Sequence, residues 1–60
     1  MIFRIFDLET EEILEWDIKK MLQEINRDRS ENWTDYNELD WYEGWDEWCE
    51  GDMYKLLTVS

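Results

Sequence analysis

The first hydrophobic block of the chain, residues 2–6, has the sequence IFRIF. It predicts a β-strand, because Ile and Phe are enriched in strands. Successive side chains of a strand point to opposite faces, so Phe3 and Ile5 share one face. The other face is also apolar apart from Arg4, which predicts a strand that lies inside a small sheet.

Two further segments complete the predicted sheet. Residues 13–16, ILEW, predict a second strand, antiparallel to the first and joined to it through a turn over residues 7–12, DLETEE. This turn has no Gly or Pro to define its type. The terminal segment 53–59, MYKLLTV, predicts a third strand that pairs with the first. An alternative for residues 8–16 is an extra helical turn.

Helical periodicity begins after the second strand. Asp17 is a suitable N-cap for a helix over residues 18–28, followed by a polar connection over residues 28–33. Apolar side chains of this helix recur at three- and four-residue spacing and form a stripe about 100° wide, which is typical of a helix facing a core. The stripe consists of Ile18, Met21, Leu22 and Ile25.

The segment 30–52, SENWTDYNELDWYEGWDEWCEGD, contains nine carboxylates and no Lys or Arg. It predicts a second helix. The Thr34 hydroxyl can cap the first turn, in which Asp35 and Glu38 would lie where the helix dipole favours negative charge. Gly51 is suited to the position that ends a helix.

A helical wheel of about 100° per residue separates this segment into two faces. An arc of about 120° holds Trp41, Tyr42, Trp45, Trp48 and Cys49. The opposite arc of about 140° holds Asp35, Asp40, Glu43, Asp46, Glu47 and Glu50. Like charges three or four residues apart oppose the helix by a few tenths of a kcal/mol per pair, and Gly44 opposes it by about 1 kcal/mol. Burial of each large aromatic side chain offsets this by roughly 1.5–3 kcal/mol.

These elements predict a single acidic domain, residues 1–60, of the α+β class. The expected order is ββααβ, with a small three-stranded antiparallel sheet and two helices packed on one face of it. Sixty residues support only a small core, and self-association as a homodimer would add to it.

The net charge of −11 is concentrated in residues 30–52, which carry −9. A polyanionic surface repels nucleic acid and anionic membranes and attracts basic protein surfaces. We therefore expect no direct nucleic-acid or membrane partner. Because 43% of the residues are hydrophobic, the chain is too apolar for a disordered acidic tail.

The residue types argue against catalysis. The chain has no His, which removes most nucleophile–base pairs and zinc sites. Cys49 lies among carboxylates, which disfavour a reactive thiolate. A calcium loop fails, because Trp33 stands where Gly is needed in the alignment that starts at Asp28. We therefore expect no enzyme activity, cofactor or dedicated metal site. A lone cysteine and the early acids after residue 6 predict a cytoplasmic location.

The pattern of charge predicts a mimic of DNA. A face of fixed carboxylates can occupy the basic groove of a protein that handles nucleic acid. In size and charge the chain resembles the small acidic inhibitors that viruses of bacteria use against restriction, CRISPR or DNA-repair enzymes. This resemblance implies a basic host protein as the partner, met in the host cytoplasm. The predicted partner-binding residues are Asp35, Asp40, Glu43, Asp46, Glu47 and Glu50, with Trp33 and Tyr36.

Two alternatives stay open from the sequence. The chain can be an adaptor that docks exposed aromatics, among them Trp33, Tyr36 or Trp41, on a partner such as transcription machinery. It can also be a structural subunit whose aromatic face is buried in a homodimer. In the adaptor the carboxylates would serve steering and solubility, and without a binding role they would keep a Trp-rich protein soluble.

Overall fold

The computed structural model describes residues 1–27 and 35–60. Within them the strands are antiparallel in the order β2-β1-β3 and the helices lie on one face of the sheet. The predicted α+β fold with ββααβ order is confirmed. The elements are β1 (Ile2–Asp7), β2 (Ile13–Asp17), α1 (Ile18–Ile25), α2 (Trp41–Trp48) and β3 (Tyr54–Val59).

Strand β1 is the central strand, as its two apolar faces predict. It pairs with β2 on one side and with β3 on the other, where a β-bulge interrupts the register between Arg4 and Ile5. Phe3 and Ile5 are fully buried under the helices. On the opposite face, Ile2 is 40% and Ile13 is 56% exposed, and no described element covers them. The sheet therefore has one core face and one open face.

The turn between β1 and β2 is organised by Asp7. Its Oδ1 accepts hydrogen bonds from the backbone N–H groups of Glu9 (2.9 Å) and Thr10 (3.2 Å). Glu11 adopts a left-handed conformation with φ of 60°. Hydrogen bonds to an Asp side chain thus stabilise this turn, whereas most tight turns depend on the backbone conformations of Gly or Pro. The helical alternative for residues 8–16 is wrong, because β2 pairs with β1 along its whole length.

Helix α1 begins as predicted and ends earlier. The Asp17 side chain accepts a hydrogen bond from the Lys20 N–H (2.8 Å) and so caps the first turn. The helix ends at Ile25 rather than at residue 28, with Asn26 as its C-cap. The Asn26 side chain binds both backbone groups of Tyr36: Nδ2 donates to the carbonyl and Oδ1 accepts from the N–H, each at 2.9 Å.

Helix α2 is shorter than predicted. It begins at Trp41, so the expectation that Asp35 and Glu38 occupy its first turn is wrong. Asn37 explains the late start: its Oδ1 accepts from the Leu39 N–H (2.9 Å), a local bond that competes with helix formation. The predicted N-cap Thr34, the connection over residues 28–33 and Trp33 all lie outside the described residues.

The end of α2 is close to the prediction. Cys49 is the C-cap, and its N–H bonds to the Trp45 carbonyl at 2.9 Å. Gly51 follows with φ of 81°, the left-handed conformation in which Gly has no steric penalty. Its N–H donates to the Tyr54 carbonyl (2.8 Å), so the chain turns directly into β3.

Gly44 is required by the packing of α2 against the rest of the protein. It is buried, and a Cβ placed on it would lie 2.7 Å from Cδ2 of Tyr36 and 2.9 Å from Cδ1 of Ile25. The Tyr36 ring occupies the space that any larger residue would fill. The glycine that opposes helix formation in the sequence therefore permits close contact in the fold.

Aromatic rings attach α2 to the sheet. The Trp45 ring lies 6.0 Å from Trp16 and 5.9 Å from Tyr54, and the last two are 5.0 Å apart. At the other end of the helix, Trp41 contacts Phe3 edge to face at 4.7 Å. Edge-to-face and offset arrangements of this kind contribute about 0.5–1.5 kcal/mol per pair beyond the area that they bury.

We expect Gly44→Ala to destabilise the protein by about 1–3 kcal/mol, because the added methyl group collides with a hydrogen-bonded buried ring. Helix propensity alone predicts the opposite sign, a gain of about 1 kcal/mol. Urea unfolding followed by tryptophan fluorescence measures the difference. Glu43→Ala, on the exposed side of the same helix, is the control and should change stability by less than about 0.5 kcal/mol. A stabilised Gly44→Ala protein would contradict the packing argument.

Burial raises the pKa of Tyr54 above its ordinary value of 10.0, and the charges of Glu24 and Asp7 add to the shift. Above pH 10 the unfolded chain therefore loses a proton that the folded chain keeps, so the free energy of unfolding falls as pH rises. We expect Tyr54→Phe to make this alkaline fall shallower in denaturation series between pH 9 and 11, about one unit on either side of the ordinary tyrosine value. Tyr42→Phe, which removes a tyrosine hydroxyl at an exposed position, is the control.

Candidate functional site

The exposed side of α2 is densely negative. Glu43, Asp46 and Glu47 are exposed on the helix, and Asp40 lies half-buried at its N-cap. At about 100° per residue these four carboxylates fall within an arc of about 120°, and we call them the acidic face. Eight residues at 1.5 Å each make the helix about 12 Å long, so the acidic face is shorter than a helix over residues 35–50 would give.

The acidic face is not neutralised by the described part of the chain. The ion pairs within residues 1–27 and 35–60 are Lys20–Glu24 and Arg27–Glu24, both at 3.2 Å and both on α1 and its C-terminal side. Glu24 therefore pairs with two of the cations, Lys20 and Arg27. Helix α2 has no basic residue in its last turn. The negative charge of the acidic face therefore has no counterion among these residues.

Tyr36 forms a hydrogen bond to the acidic face from the buried side of α2. Its ring is only 8% exposed, so the expectation that it is exposed for contact with a partner is wrong. Its hydroxyl donates to Oε2 of Glu47 and accepts from Nε1 of Trp48 at 3.3 Å. Tyr36 therefore orients a carboxylate of the acidic face. Sequence reasoning missed this role because the ring is buried against Gly44, a contact that no local pattern reveals.

The remaining predicted partner-binding residues are distributed differently. Asp35 is exposed but precedes the helix. Trp33 lies outside the described residues, and Trp41 is half-buried against the core. The largest exposed apolar side chains near the acidic face are Leu39, which is 89% exposed, and Tyr42, which is 62% exposed. Neither was predicted as a partner-binding residue.

Glu50 leaves the acidic face and joins α2 to β3. Its Oε2 accepts hydrogen bonds from Nε1 of Trp45 (2.6 Å) and from the backbone N–H of Leu56 (2.9 Å). Because the helix ends before Glu50, this side chain does not lie where a helix continued to residue 50 would place it. A carboxylate that accepts two N–H bonds is held in one orientation.

A groove of about 320 Å³ lies between α2 and β3 beside Glu50. Three aromatic rings, one aliphatic side chain and two carboxylates line it, and we call it the aromatic groove. Its lining residues are Trp41, Tyr42, Trp45, Asp46, Glu50 and Leu56. The sequence indicates the aromatic and acidic members, but it does not indicate that β3 closes the far side.

No family model, curated protein or solved structure matches this chain. The function therefore has to be argued from the surface itself. Within residues 1–27 and 35–60, no group of three His, Cys, Asp or Glu side chains is placed to hold a metal ion. In the same ranges, no helix has the length and apolarity needed to cross a membrane.

We expect Glu50→Ala to destabilise the protein by about 1–3 kcal/mol, because the Trp45 indole N–H and the Leu56 N–H both lose their acceptor. Glu50→Gln keeps a side-chain oxygen at this position and should recover most of the loss. Thermal unfolding of the two variants gives the comparison, with Asp52→Ala as an exposed control. Equal stability of Glu50→Ala and Asp52→Ala would contradict the structural role of Glu50.

Proposed function

We propose that this chain is a small, non-enzymatic acidic protein that binds and inhibits a basic protein that handles nucleic acid. The partner would be of the restriction, CRISPR or DNA-repair type, and the chain would act in the cytoplasm, the host cytoplasm if a bacterial virus encodes it. The observation that carries the proposal is the acidic face, which is exposed and has no cationic partner among residues 1–27 and 35–60.

The spacing of the carboxylates supports mimicry of a nucleic-acid strand. Successive acids of the face, such as Asp40, Glu43 and Asp46, recur every three residues, which is about 5 Å along a helix axis. Phosphates of a DNA strand recur about every 3.4 Å of axis. A basic groove that neutralises phosphates can therefore place its Lys and Arg side chains against several of these carboxylates at once.

The firm attachment of α2 to the sheet favours tight binding by the acidic face. Ring contacts from Trp41 and Trp45 hold the helix on the sheet, and Tyr36 holds Glu47. A surface that is already ordered loses less conformational entropy on binding than a flexible acidic tail. Its net negative field also speeds encounter with a basic partner at low salt.

The second candidate function is an adaptor that docks through exposed apolar side chains. Leu39 and Tyr42, which project beside the acidic face, favour it, since Tyr is frequent among the residues that dominate binding energy. In this case the partner would be a component such as transcription machinery, and the carboxylates would serve steering and solubility.

The two functions predict different responses in an affinity capture from nuclease-treated bacterial lysate. Three carboxylates of the acidic face are neutralised in the variant Asp40→Asn, Glu43→Gln, Glu47→Gln. The matched control neutralises three exposed carboxylates of the β1–β2 turn, Glu9→Gln, Glu11→Gln, Glu12→Gln, and so has the same net charge. We expect a nucleic-acid enzyme to be retained by the wild type and by the control, but not by the α2 variant.

Elution with high salt and with competing DNA separates the two functions further. Under mimicry, the captured enzyme elutes at high salt and with competing duplex DNA, and the purified chain inhibits it. A partner that survives high salt, ignores DNA and is lost with Tyr42→Ala would favour the adaptor. Equal loss with both triple variants would overturn the proposal, because binding would then follow net charge and not the acidic face. A concentration-dependent melting temperature would indicate a homodimer instead.

A further inference from the structure

The aromatic groove has the composition of a site for a planar cation. We infer that it receives the side chain of an arginine from the protein partner, with the guanidinium group between aromatic rings and carboxylates. This inference rests on the proposed function, because a basic partner supplies the arginine. It adds a specific anchor to a surface that otherwise acts through its summed charge.

The first argument is the fixed carboxylate of Glu50. Its Oε2 is occupied by the Trp45 indole and the Leu56 backbone N–H. Within residues 1–27 and 35–60, no donor contacts its Oε1. An acceptor held in one orientation costs little entropy when a new donor arrives, and a charged hydrogen bond is about twice as strong as a neutral one.

The second argument is the aromatic lining. Trp41 and Tyr42 both line the groove, and their rings lie 6.3 Å apart in an edge-to-face arrangement. A guanidinium group stacks on such rings and is attracted by the negative charge of their faces. Leu56 provides an apolar surface for the methylene groups of the arginine stem.

The third argument is the charge of the groove, which selects among occupants. Asp46 and Glu50 repel an anionic ligand, and a neutral apolar ligand would remove both carboxylates from water without compensation. Lysine carries the same charge as arginine, but its ammonium group is compact and strongly hydrated and cannot stack a flat array of N–H donors on a ring. Arginine therefore matches both parts of the lining.

The test uses three small probes with a common backbone: the N-acetyl, N-methylamide derivatives of arginine, lysine and citrulline. Lysine matches the charge of arginine, and citrulline matches its shape without the charge. Each probe is titrated into the ¹⁵N-labelled full chain, and the indole N–H signals of Trp41 and Trp45 and the amide signal of Leu56 are followed. We expect millimolar binding of the arginine probe at these three signals, with lysine at least threefold weaker and citrulline without effect.

Two variants locate the binding. Asp46→Asn removes a groove carboxylate and should weaken the arginine probe about five- to tenfold, and Tyr42→Ala should weaken it to a similar extent. Glu43→Gln removes one charge from the same helix outside the groove lining and should stay within twofold of the wild type. Asp46, Tyr42 and Glu43 are all exposed, so their replacement leaves the core intact.

Several results would overturn the inference. Equal binding of the lysine and arginine probes, or equal weakening by Asp46→Asn and Glu43→Gln, would reduce the effect to general attraction by the acidic face. Absence of any change at the three signals would exclude the groove as a binding site for the arginine side chain. These measurements need no partner, and the two triple variants used in the capture leave the groove lining unchanged. The groove can therefore fail while the capture result stands, and the reverse also holds.

Discussion

The attachment of α2 to the sheet by aromatic side chains is the interaction on which the structure depends. The helix carries like charges at three- and four-residue spacing, such as Glu43 with Asp46 and with Glu47, and each pair opposes folding by a few tenths of a kcal/mol. Burial of Trp45 alone contributes roughly 1.5–3 kcal/mol, and its ring contacts add to this. The aromatic contribution is the larger one, so the helix stays folded with its charges uncompensated by the described cations.

A second constraint is the close approach between the two helices. Asn26 at the end of α1 binds both backbone groups of Tyr36, and Gly44 of α2 leaves the space for the ring. The Tyr36 hydroxyl then reaches Glu47. One buried tyrosine thus links the end of α1, the interior of α2 and a carboxylate of the surface. The acidic face and the core are connected in this way through a single side chain.

The carboxylates of α2 and its flanks differ in their surroundings, and this difference divides the surface into two parts. Those of the acidic face form a broad negative field, although a tyrosine hydroxyl orients one of them. Glu50 is instead held by Trp45 and Leu56 beside the aromatic groove. A field of this kind attracts many cations with little discrimination, whereas a fixed carboxylate beside rings discriminates by shape. The proposed mimicry depends on the acidic face. The proposed arginine anchor depends on Glu50 and on Asp46, which belongs to the acidic face and also lines the groove.

The sequence by itself determined the sheet, its central strand, the Asp17 cap and the sign of the surface charge. These features depend on neighbouring residues: an apolar run that covers both faces of β1, a cap three residues before its donor, and acids without cations in one segment. A local bond at Asn37, which competes with the helix, set where α2 begins. Only the tertiary structure decided that Tyr36 is buried and that Glu50 faces β3. The burial of Tyr36 and the position of Glu50 depend on contacts outside the helix itself, such as Gly44 with Tyr36 or Glu50 with Leu56. Helical periodicity carries no information about either.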